Sequence, residues 1–534
     1  MKTSTYNRRD FLKFLGVAAV STTIAPNRIQ PAFSDQALAL DSIPATSHDG
    51  LELSQGLDYE VLIKWGDKIS DELEFGFNND YIAFVPIAKQ TNEALLWVNH
   101  EYPSTLFVSN RPAGSAPTKE QIDKERDSVG GSILRIKRKN NKWQVVKNHD
   151  LNRRLTARTP IAITSPAPIA GSYQAIGTLA NCAGGVTPWG SVLTCEENYQ
   201  NYYGDIAFQN RRIRKIKYNK YHLQWNRFYN LPPEHYGWVV EVNPQTGEAQ
   251  KLSALGRFAH ESATTIKAKD GRCVVYSGDD KANECLYKFI ADQPGNLEQG
   301  ILYVADIDNG VWIPLDIKQN KILRTHFESQ LELLIYTREA ARIVKATRLD
   351  RPEDIAINPH DRSVLVALTS NRRRLNFHGS LLKIEEQNAD PLALSFKAST
   401  FLAGSKDTGF SNPDNLTFDK NGNLWMTSDI PGPLIEKGPY AGFGNNGLFY
   451  IPLHGNHAGI VYRLATAPVD AEFTGPCFSP DGNTLFLSVQ HPGELSRSRQ
   501  KLTSHWPDGG HSIPRPSVIT ITGDLLTQLV NFQG

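Results

Sequence analysis

One pattern returns six times along this 534-residue chain, and it constrains the fold more than any other feature. Each copy has a polar or acidic start, a short apolar strand, a turn rich in Gly, Asn, Asp or Pro, a second apolar strand, and a polar or acidic end. Further strand-like segments, such as residues 237–242 and 447–451, lie between the copies. The six copies are residues 80–101, 182–197, 260–280, 351–371, 413–429 and 475–494.

Repeated hairpins separated by further strands are typical of blades arranged around a channel. The pattern therefore predicts an all-β protein, a six-bladed β-propeller with loop and helical insertions and a metal cluster at one mouth of the central channel. A pair of β-sandwiches is the alternative, but it does not explain why all six units share the same punctuation. No long linker follows residue 39, so residues 40–534 are predicted to form a single domain, with insertions at 201–229 and 308–346 over one face.

The first 39 residues have the features of a twin-arginine export signal. Residues 7–13 read Asn-Arg-Arg-Asp-Phe-Leu-Lys, a mildly apolar stretch follows at 14–24, and Ala-Leu-Ala at 37–39 suits a signal peptidase. We expect the twin-arginine export machinery to read residues 1–39, and the mature protein to be periplasmic or extracellular. A disordered basic N-terminus is the alternative. No other window has about 18 uninterrupted apolar residues, so no stable membrane span is expected.

The charge balance and the cysteine content bear on which partners and metals the chain can bind. The 57 Lys and Arg residues nearly balance the 56 Asp and Glu residues, so nothing indicates a nucleic-acid partner. The chain has 5 cysteines, which leaves at least one unpaired, and none has CxxC or zinc-type spacing. Cys273 and Cys285 are close enough in sequence to pair across a hairpin. A protein that folds before export can load a thiolate with metal in a reducing compartment, which favours a cysteine ligand.

Hairpin polarity predicts where the acidic ends of the copies lie. The residue before the first strand and the residue after the second strand share one end of a hairpin, so all six clusters should face one mouth of the channel. So many carboxylates in a small space require cations, and oxygen ligands suit calcium. The predicted metal ligands are Glu101, Cys182, Glu196, Glu197, Glu261, Asp279, Asp280, Glu353, Asp414, Asp429 and Glu494.

Cys182 differs from the other candidates because a thiolate is a soft ligand, which iron, zinc or copper would select and calcium would not. Spacing alone supports a buried structural thiol equally well. The motifs around it add a further indication. Residues 181–190 (Asn-Cys-Ala-Gly-Gly-Val-Thr-Pro-Trp-Gly), 193–198 (Leu-Thr-Cys-Glu-Glu-Asn), 260–263 (His-Glu-Ser-Ala) and 351–354 (Arg-Pro-Glu-Asp), in this order after a twin-arginine signal, resemble the PhoX family of alkaline phosphatases. Pro-Asp-Asn at 413–415 adds to the likeness.

The resemblance implies a six-bladed propeller, a cofactor of Ca²⁺ and Fe³⁺ ions, and hydrolysis of phosphate monoesters outside the cytoplasm with release of inorganic phosphate. Carried over to this sequence, Cys182 becomes an iron ligand, Glu353 a calcium ligand facing the phosphate, and Arg351 a phosphate-binding guanidinium. Arg351 and Glu353 are thus the predicted catalytic residues. Glu261 and either Glu196 or Glu197 become carboxylate ligands. Adjacent strand residues face opposite ways, so the sequence leaves open which of that pair points inward.

Two other functions remain compatible with the pattern. A calcium-dependent propeller lactonase or esterase also places carboxylates around the channel, but it needs no thiolate ligand. A noncatalytic propeller would bind partners through its rim and use metals as structural staples. Phosphoryl transfer needs mainly positioning and positive charge, which metal ions and Arg351 supply. The chain has neither a Gly-x-Ser-x-Gly elbow nor a P-loop.

Overall fold

Each sequence copy forms an antiparallel strand pair at the inner end of a four- to six-stranded sheet. The second strand of each pair has apolar residues on both faces because these faces pack against different neighbouring sheets. Leu95 and Trp97 pack towards one neighbour, and Leu96 and Val98 towards the other. Tight turns join the pairs, and Gly482 adopts a positive φ of 73° in the last of them, a conformation that glycine accepts without strain.

This computed structural model describes residues 40–87, 92–112, 114–209 and 213–533, with the backbone alone for 207–209 and 213–215. The predicted export signal at 1–39 lies outside the described residues. The described residues between 40 and 533 form one compact unit.

The strands before the second copy are β1 (Glu52–Leu53), β2 (Asp58–Lys64), β3 (Asn79–Pro86), β4 (Glu93–His100), β5 (Gly130–Lys139), β6 (Lys142–Val145), β7 (Arg153–Leu155), β8 (Pro160–Thr164) and β9 (Gln174–Ile176). The middle of the chain contains β10 (Asn181–Val186), β11 (Val192–Glu196), β12 (Asp205–Gln209), β13 (Ile213–Lys217), β14 (Val239–Val242), β15 (Ala249–Leu252), β16 (Thr264–Lys267), β17 (Arg272–Gly278), β18 (Leu286–Pro294), β19 (Gly300–Asp306) and β20 (Val311–Pro314). The last third contains β21 (Pro352–Ile357), β22 (Val364–Leu368), β23 (Ser380–Glu386), β24 (Phe396–Ala403), β25 (Pro413–Phe418), β26 (Leu424–Ser428), β27 (Gly447–Ile451), β28 (Tyr462–Thr466), β29 (Glu472–Phe478), β30 (Leu485–Gln490) and β31 (Ser517–Thr522).

Helices are few and short. The α-helices are α1 (Lys119–Ser128), α2 (Gln200–Tyr203), α3 (Lys321–His326), α4 (Gln330–Ile335), α5 (Thr337–Ile343) and α6 (Asp524–Asn531). Single 3₁₀ turns occur at Trp225–Arg227, Pro233–His235, Ser253–Leu255, Arg372–Arg374, Gln387–Ala389, Gly432–Leu434, Gly438–Tyr440 and Gly455–His457. Within the described part of the chain, no helix has the length and apolar character to cross a membrane.

The sheets form six blades, which confirms the predicted β-propeller. In sequence order of their inner strands, the blades are β3-β4-β5-β6 with β7 also on β5, β10-β11-β14-β15-β8-β9, β16-β17-β18-β19-β20, β21-β22-β23-β24, β25-β26-β27-β28-β1 and β29-β30-β31-β2. The inner strands β3, β10, β16, β21, β25 and β29 contact one another in that order, and β29 returns to β3. They therefore surround a central channel.

The chain closes its ring with strands from its N-terminal part. Strand β1 pairs with β28 at the outer edge of blade five, and β2 pairs with β31 at the outer edge of blade six. Apolar clusters fill the interfaces between successive blades all the way round. The insertion at 201–229 forms the β12–β13 hairpin and the following loop, and the one at 308–346 contains α3, α4 and α5.

All five cysteines are free thiols. Cys273 lies at the beginning of β17, whereas Cys285 directly precedes β18. Because these strands are antiparallel, the two residues lie at opposite ends of the pair. The Cys273–Cys285 bridge that the sequence allowed therefore does not form.

Candidate metal centre and active site

A β-bulge interrupts the inner strand of each blade near the same mouth. In blade one the register passes from Asn79 opposite His100 to Ile82 opposite Val98, so β3 has one extra residue. Blades two, four, five and six have the same shift, and blade three has one between the His260–Asp279 bridge and β16. A bulge bends the strand and redirects a side chain. The residues that follow the last regular pair are Asp80, Cys182, Glu261, Glu353, Asp414 and Gly475.

Five blades thus supply a potential metal ligand at one equivalent position. Blade six has Gly475 there because a Cβ at this position would lie 2.7 Å from the backbone oxygen of Asp80. Its carboxylate comes instead from Glu472, at the start of β29.

These side chains line a single cavity of about 770 Å³ at the mouth of the channel. Most of the residues predicted from the sequence meet in it. The predicted residues that line the cavity are Glu101, Cys182, Glu197, Glu261, Asp280, Arg351, Glu353, Asp414, Asp429 and Glu494.

Glu196 and Asp279 are the two predicted ligands that do not line the cavity. Glu196 is buried on the other side of its strand, where it accepts hydrogen bonds from Lys251 Nζ at 2.6 Å and from the Gly237 backbone at 3.0 Å. Asp279 accepts a hydrogen bond from Arg338 Nε at 2.7 Å, on helix α5. Each has a neighbour in the cavity, Glu197 or Asp280, because consecutive residues point in opposite directions.

Asp80, Glu472 and His491 also line the cavity, although the sequence prediction did not include them. For Asp80 and Glu472, the sequence just before the ligand gives an indication. Left-handed backbone occurs two residues before the ligand in five blades, at Asn78, Ala180, Arg351, Asn412 and Asp470, with φ of 55°, 54°, 57°, 53° and 61°. Asn or Asp, which accepts this backbone more readily than most residues, occupies the position in Asn-Asn-Asp at 78–80 and in Asp-Ala-Glu at 470–472. His491 has no comparable signal.

The potential ligand atoms form three overlapping groups, each with its atoms within 4.8 Å of one another. The groups are Asp80 with Glu101 and Cys182, Cys182 with Glu197 and Glu261, and Glu261 with Asp280 and Glu353. Cys182 and Glu261 are each shared by two groups, and Cys182 Sγ lies 3.3 Å from Glu261 Oε1. The cluster is therefore continuous, and the thiol stands between two sets of carboxylates.

Burial dominates the electrostatics of this cluster. It raises the pKa of Asp80 to about 6 and that of Glu472 to about 8. Burial, reinforced by neighbouring acidic groups, raises the pKa values of Glu101, Glu197 and Glu261 well above the usual range. Ionised carboxylates at this density are stable only beside positive charge.

Among the described residues that line the cavity, Arg351 is the only Arg or Lys. Its Nε and Nη2 donate to the two carboxylate oxygens of Asp280, both at 2.8 Å, and Nη2 is also 2.8 Å from Glu353 Oε1. Burial opposes ionisation of Asp280, but Arg351 holds its pKa below the ordinary value. Arg351 itself has a φ of 57°, which is strained for a non-glycine residue and common at functional sites. Its fixed guanidinium can donate to an oxyanion.

Comparison with known proteins identifies the family. A family model described as alkaline phosphatase PhoX matches residues 38–493. The chain belongs to the PhoX family. Members of this family are alkaline phosphatases, and the chain is therefore an enzyme of the phosphoric monoester hydrolase class.

The solved structure of Pseudomonas fluorescens PhoX in complex with vanadate, a transition-state analogue, is similar to this PhoX chain with a TM-score of 0.82 and 31% identity. The match covers 91% of this chain and 98% of that one. A gluconolactonase from Xanthomonas campestris gives a TM-score of 0.30 and 10% identity, covering 91% and 99% of the two chains. A protein of unknown function from Dyadobacter fermentans gives 0.37 and 8%, covering 88% and 100%. No curated protein sequence matched the chain.

The donor set of this PhoX chain fits a metal centre. PhoX is a metal-dependent family, and the buried Asp80 Oδ1 lacks a hydrogen-bond partner among the described residues. Buried polar atoms are normally satisfied, so this oxygen is available to a cation. Carboxylate oxygens suit hard ions, and the single thiol adds a site for a softer one.

Proposed function

We propose that this PhoX family member is an exported phosphatase that hydrolyses phosphate monoesters to inorganic phosphate at a mixed iron and calcium centre. The observation that carries the proposal is the placement of Cys182 between two carboxylate groups, in one cavity with Arg351. Cys182 would bind iron, because its thiolate is soft. The surrounding carboxylates of Asp80, Glu197 and Glu353 would hold calcium.

The bound ions would stabilise the negative charge that develops on the phosphoryl group and on the attacking and leaving oxygens. Arg351 complements them. Asp280 and Glu353 hold its Nε and Nη2, which leaves Nη1 outside this network to donate to an equatorial phosphate oxygen. A guanidinium positioned in advance stabilises the transition state without reorganising during the reaction. The vanadate complex of the similar Pseudomonas fluorescens protein supports phosphoryl transfer as the reaction.

His491, which follows strand β30 in the part of the cavity wall formed by blade six, would be a second cation. His491 donates from Nε2 to Glu472 at 2.9 Å, and its Nδ1 lies 2.8 Å from the Asp470 carbonyl oxygen. Burial disfavours the imidazolium, but Glu494 and Glu472 raise the pKa of His491 well above its usual value. The protonated ring would therefore orient Glu472 and reduce the negative charge of that wall.

Export by the twin-arginine machinery to the periplasm or the extracellular space is part of the same proposal. The paired Arg8 and Arg9 support it, as do five free thiols in a chain that would fold before export. Replacing both arginines with lysine should retain the full-length protein in the cytoplasmic fraction. Secretion of that variant at the normal level would contradict this route.

The metal centre is tested by elemental analysis and hydrolysis of p-nitrophenyl phosphate on the purified, exported protein. We expect iron and calcium together, activity that chelation removes, and loss of both iron and activity in Cys182→Ala. Cys477→Ala is the matched control, because Cys477 is another free thiol but does not line this cavity. It should retain iron and activity.

Other outcomes would select a different function. Calcium without iron and no release of phosphate would indicate the lactonase or esterase alternative, which hydrolysis of lactones would then support. Bound metals without hydrolysis of any ester would favour a noncatalytic propeller.

A further inference from the structure

The insertion after blade two forms one wall of the active-site cavity. Its hairpin, β12 and β13, continues into a loop whose residues Tyr221 and Leu223 line the cavity beside Asn201 and Tyr102. This wall borders the same cavity as Arg351, and Tyr221 in it is exposed to solvent. It therefore meets the part of a substrate that extends beyond its phosphate.

The base of this wall is firmly anchored. Leu223 N donates to the Asn201 carbonyl at 2.7 Å, and Asn219 Nδ2 donates to Asn201 Oδ1 at 2.6 Å. Trp225 is fully buried and donates from Nε1 to Glu125 at 2.8 Å. The loop around Tyr221 is thus held at both ends, and its position over the cavity is defined by the fold.

Tyr221 presents an aromatic surface at the rim. Its side chain is 63% exposed although the residue lines the cavity. Lys220 Nζ lies 4.7 Å from the centroid of its ring, so the aromatic group has a positive charge beside it. Large exposed aromatics at a cavity mouth are typical of sites that bind a ring by stacking.

From residue 206 onward, the charged residues of the insertion are all basic. Between residues 206 and 233 the sequence has no Asp or Glu, and its basic residues are Arg211, Arg212, Arg214, Lys215, Lys217, Lys220 and Arg227. Lys217 and Lys220 are exposed. A basic rim attracts anionic substrates and raises their local concentration. The cavity floor is acidic and would hold cations for the phosphate, so the rim lies beside the rest of the substrate once the phosphate is bound.

We propose that Tyr221 forms a leaving-group subsite that favours nucleoside phosphates over aliphatic phosphate esters. The inference rests on the proposed phosphatase function. The nucleobase would stack on the exposed Tyr221 ring while the phosphate binds near Arg351, and Lys220 would raise the local concentration of either anionic ester without distinguishing them. The cavity volume of about 770 Å³ is large enough for a ligand of this size.

The test compares kcat/KM for adenosine 5′-monophosphate and for glycerol phosphate, using the metal-loaded enzyme. A stacked base contributes enough binding energy that Tyr221→Ala should lower kcat/KM for the nucleotide about tenfold. Hydrolysis of glycerol phosphate should change less than about twofold, since that ester has no ring to stack. Tyr221→Phe should retain the preference because it keeps the ring.

Phe228→Ala is the matched control. Phe228 belongs to the same insertion and is 45% exposed, but it does not line the cavity. This variant should treat both substrates as the unaltered protein does. An equal loss for both substrates in Tyr221→Ala, or no loss for the nucleotide, would overturn the subsite.

A binding measurement separates this inference from the proposed activity. The phosphonate analogue of adenosine monophosphate has a P–C bond that is not hydrolysed, and its affinity can be measured by calorimetry. We expect tighter binding than for a propyl phosphonate, and loss of that difference in Tyr221→Ala. If no ester is hydrolysed but the difference is present, the phosphatase proposal fails and the subsite stands. Equal affinities for the two phosphonates would reject the subsite even in an active enzyme.

Discussion

At the scale of single residues, adjacent acidic side chains have different roles. Glu197 lines the cavity, whereas Glu196 is fully buried against Lys251, which is itself fully buried. The same division separates Asp280, which binds Arg351, from Asp279, which binds Arg338. One residue of each pair lines the cavity, and the other binds a cation, on strand β15 of the same blade for Glu196 and on helix α5 for Asp279.

This division predicts opposite effects for two neighbouring substitutions. Glu196→Gln removes the partner of a buried ammonium and should lower the free energy of unfolding by about 3–5 kcal/mol, without reducing the metal content. Glu197→Gln should reduce bound metal and activity but should not lower the free energy of unfolding of the metal-free protein, because it removes a carboxylate whose ionisation burial opposes. Urea unfolding and elemental analysis measure both effects. Loss of metal in Glu196→Gln alone would show that these two roles are reversed.

At the scale of elements, the repeated β-bulge connects the blade to the active site. It directs Asp80, Cys182, Glu353 and Asp414 from equivalent positions of four strands. In blade six the backbone of blade one approaches too closely for any side chain at Gly475. Close packing between blades therefore decides which of them contribute a ligand at this position.

Gly475→Ala should accordingly be costly. The new methyl group would meet the Asp80 backbone, and φ of 55° is unfavourable for alanine. Overpacking and the left-handed backbone together predict a loss of at least about 2 kcal/mol in the free energy of unfolding. Metal content should also fall, because Asp80 would shift. Gly50→Ala is the control, since nothing lies within 4 Å of its added Cβ. Equal stability of the two variants in urea would contradict the close approach.

At the scale of the whole molecule, the ring concentrates buried acid at one end of its channel. The opposite end holds a cavity of about 520 Å³ whose lining includes Thr264, Leu416 and Phe478. The cluster is costly for the metal-free protein because the folded state must keep its carboxylates away from water. Metal binding and stability are therefore linked through protons.

This linkage predicts a distinctive pH dependence. The folded pKa values of about 6 for Asp80 and about 8 for Glu472 exceed those of unfolded Asp and Glu, so the folded protein binds more protons than the unfolded chain. The metal-free protein should lose stability as pH rises from about 4 to about 8, by up to about 1.4 kcal/mol per pH unit for each such carboxylate. Urea unfolding across this range measures the slope.

Two comparisons test whether these carboxylates cause the pH dependence of stability. Metal-loaded protein should show a smaller slope because cations favour the ionised carboxylates, and metal-free Glu472→Gln should lose the part between about pH 5 and about pH 8. Identical slopes with and without metal would show that these carboxylates do not bind the ions.

The sequence by itself determined the architecture and the location of the site. Six similarly punctuated hairpins predicted six blades, and hairpin polarity predicted that residues such as Cys182 and Glu353 would lie at one mouth. Both follow from local regularities, because strand alternation and tight turns are encoded by neighbouring residues. The same regularities did not show that β1 and β2 complete blades five and six, since that pairing joins opposite parts of the chain.

Only the tertiary structure decided which acidic residue of each pair faces the channel. A shift of one residue exchanges the two faces of a strand, and the bulges that set this shift depend on packing between blades. Charged residues from distant parts of the sequence then bind the other acidic residue of each pair outside the cavity. Lys251 binds Glu196, and Arg338 binds Asp279. Glu472 contributes to the cavity for a similar reason, because the blade-one backbone leaves no space for a side chain at Gly475.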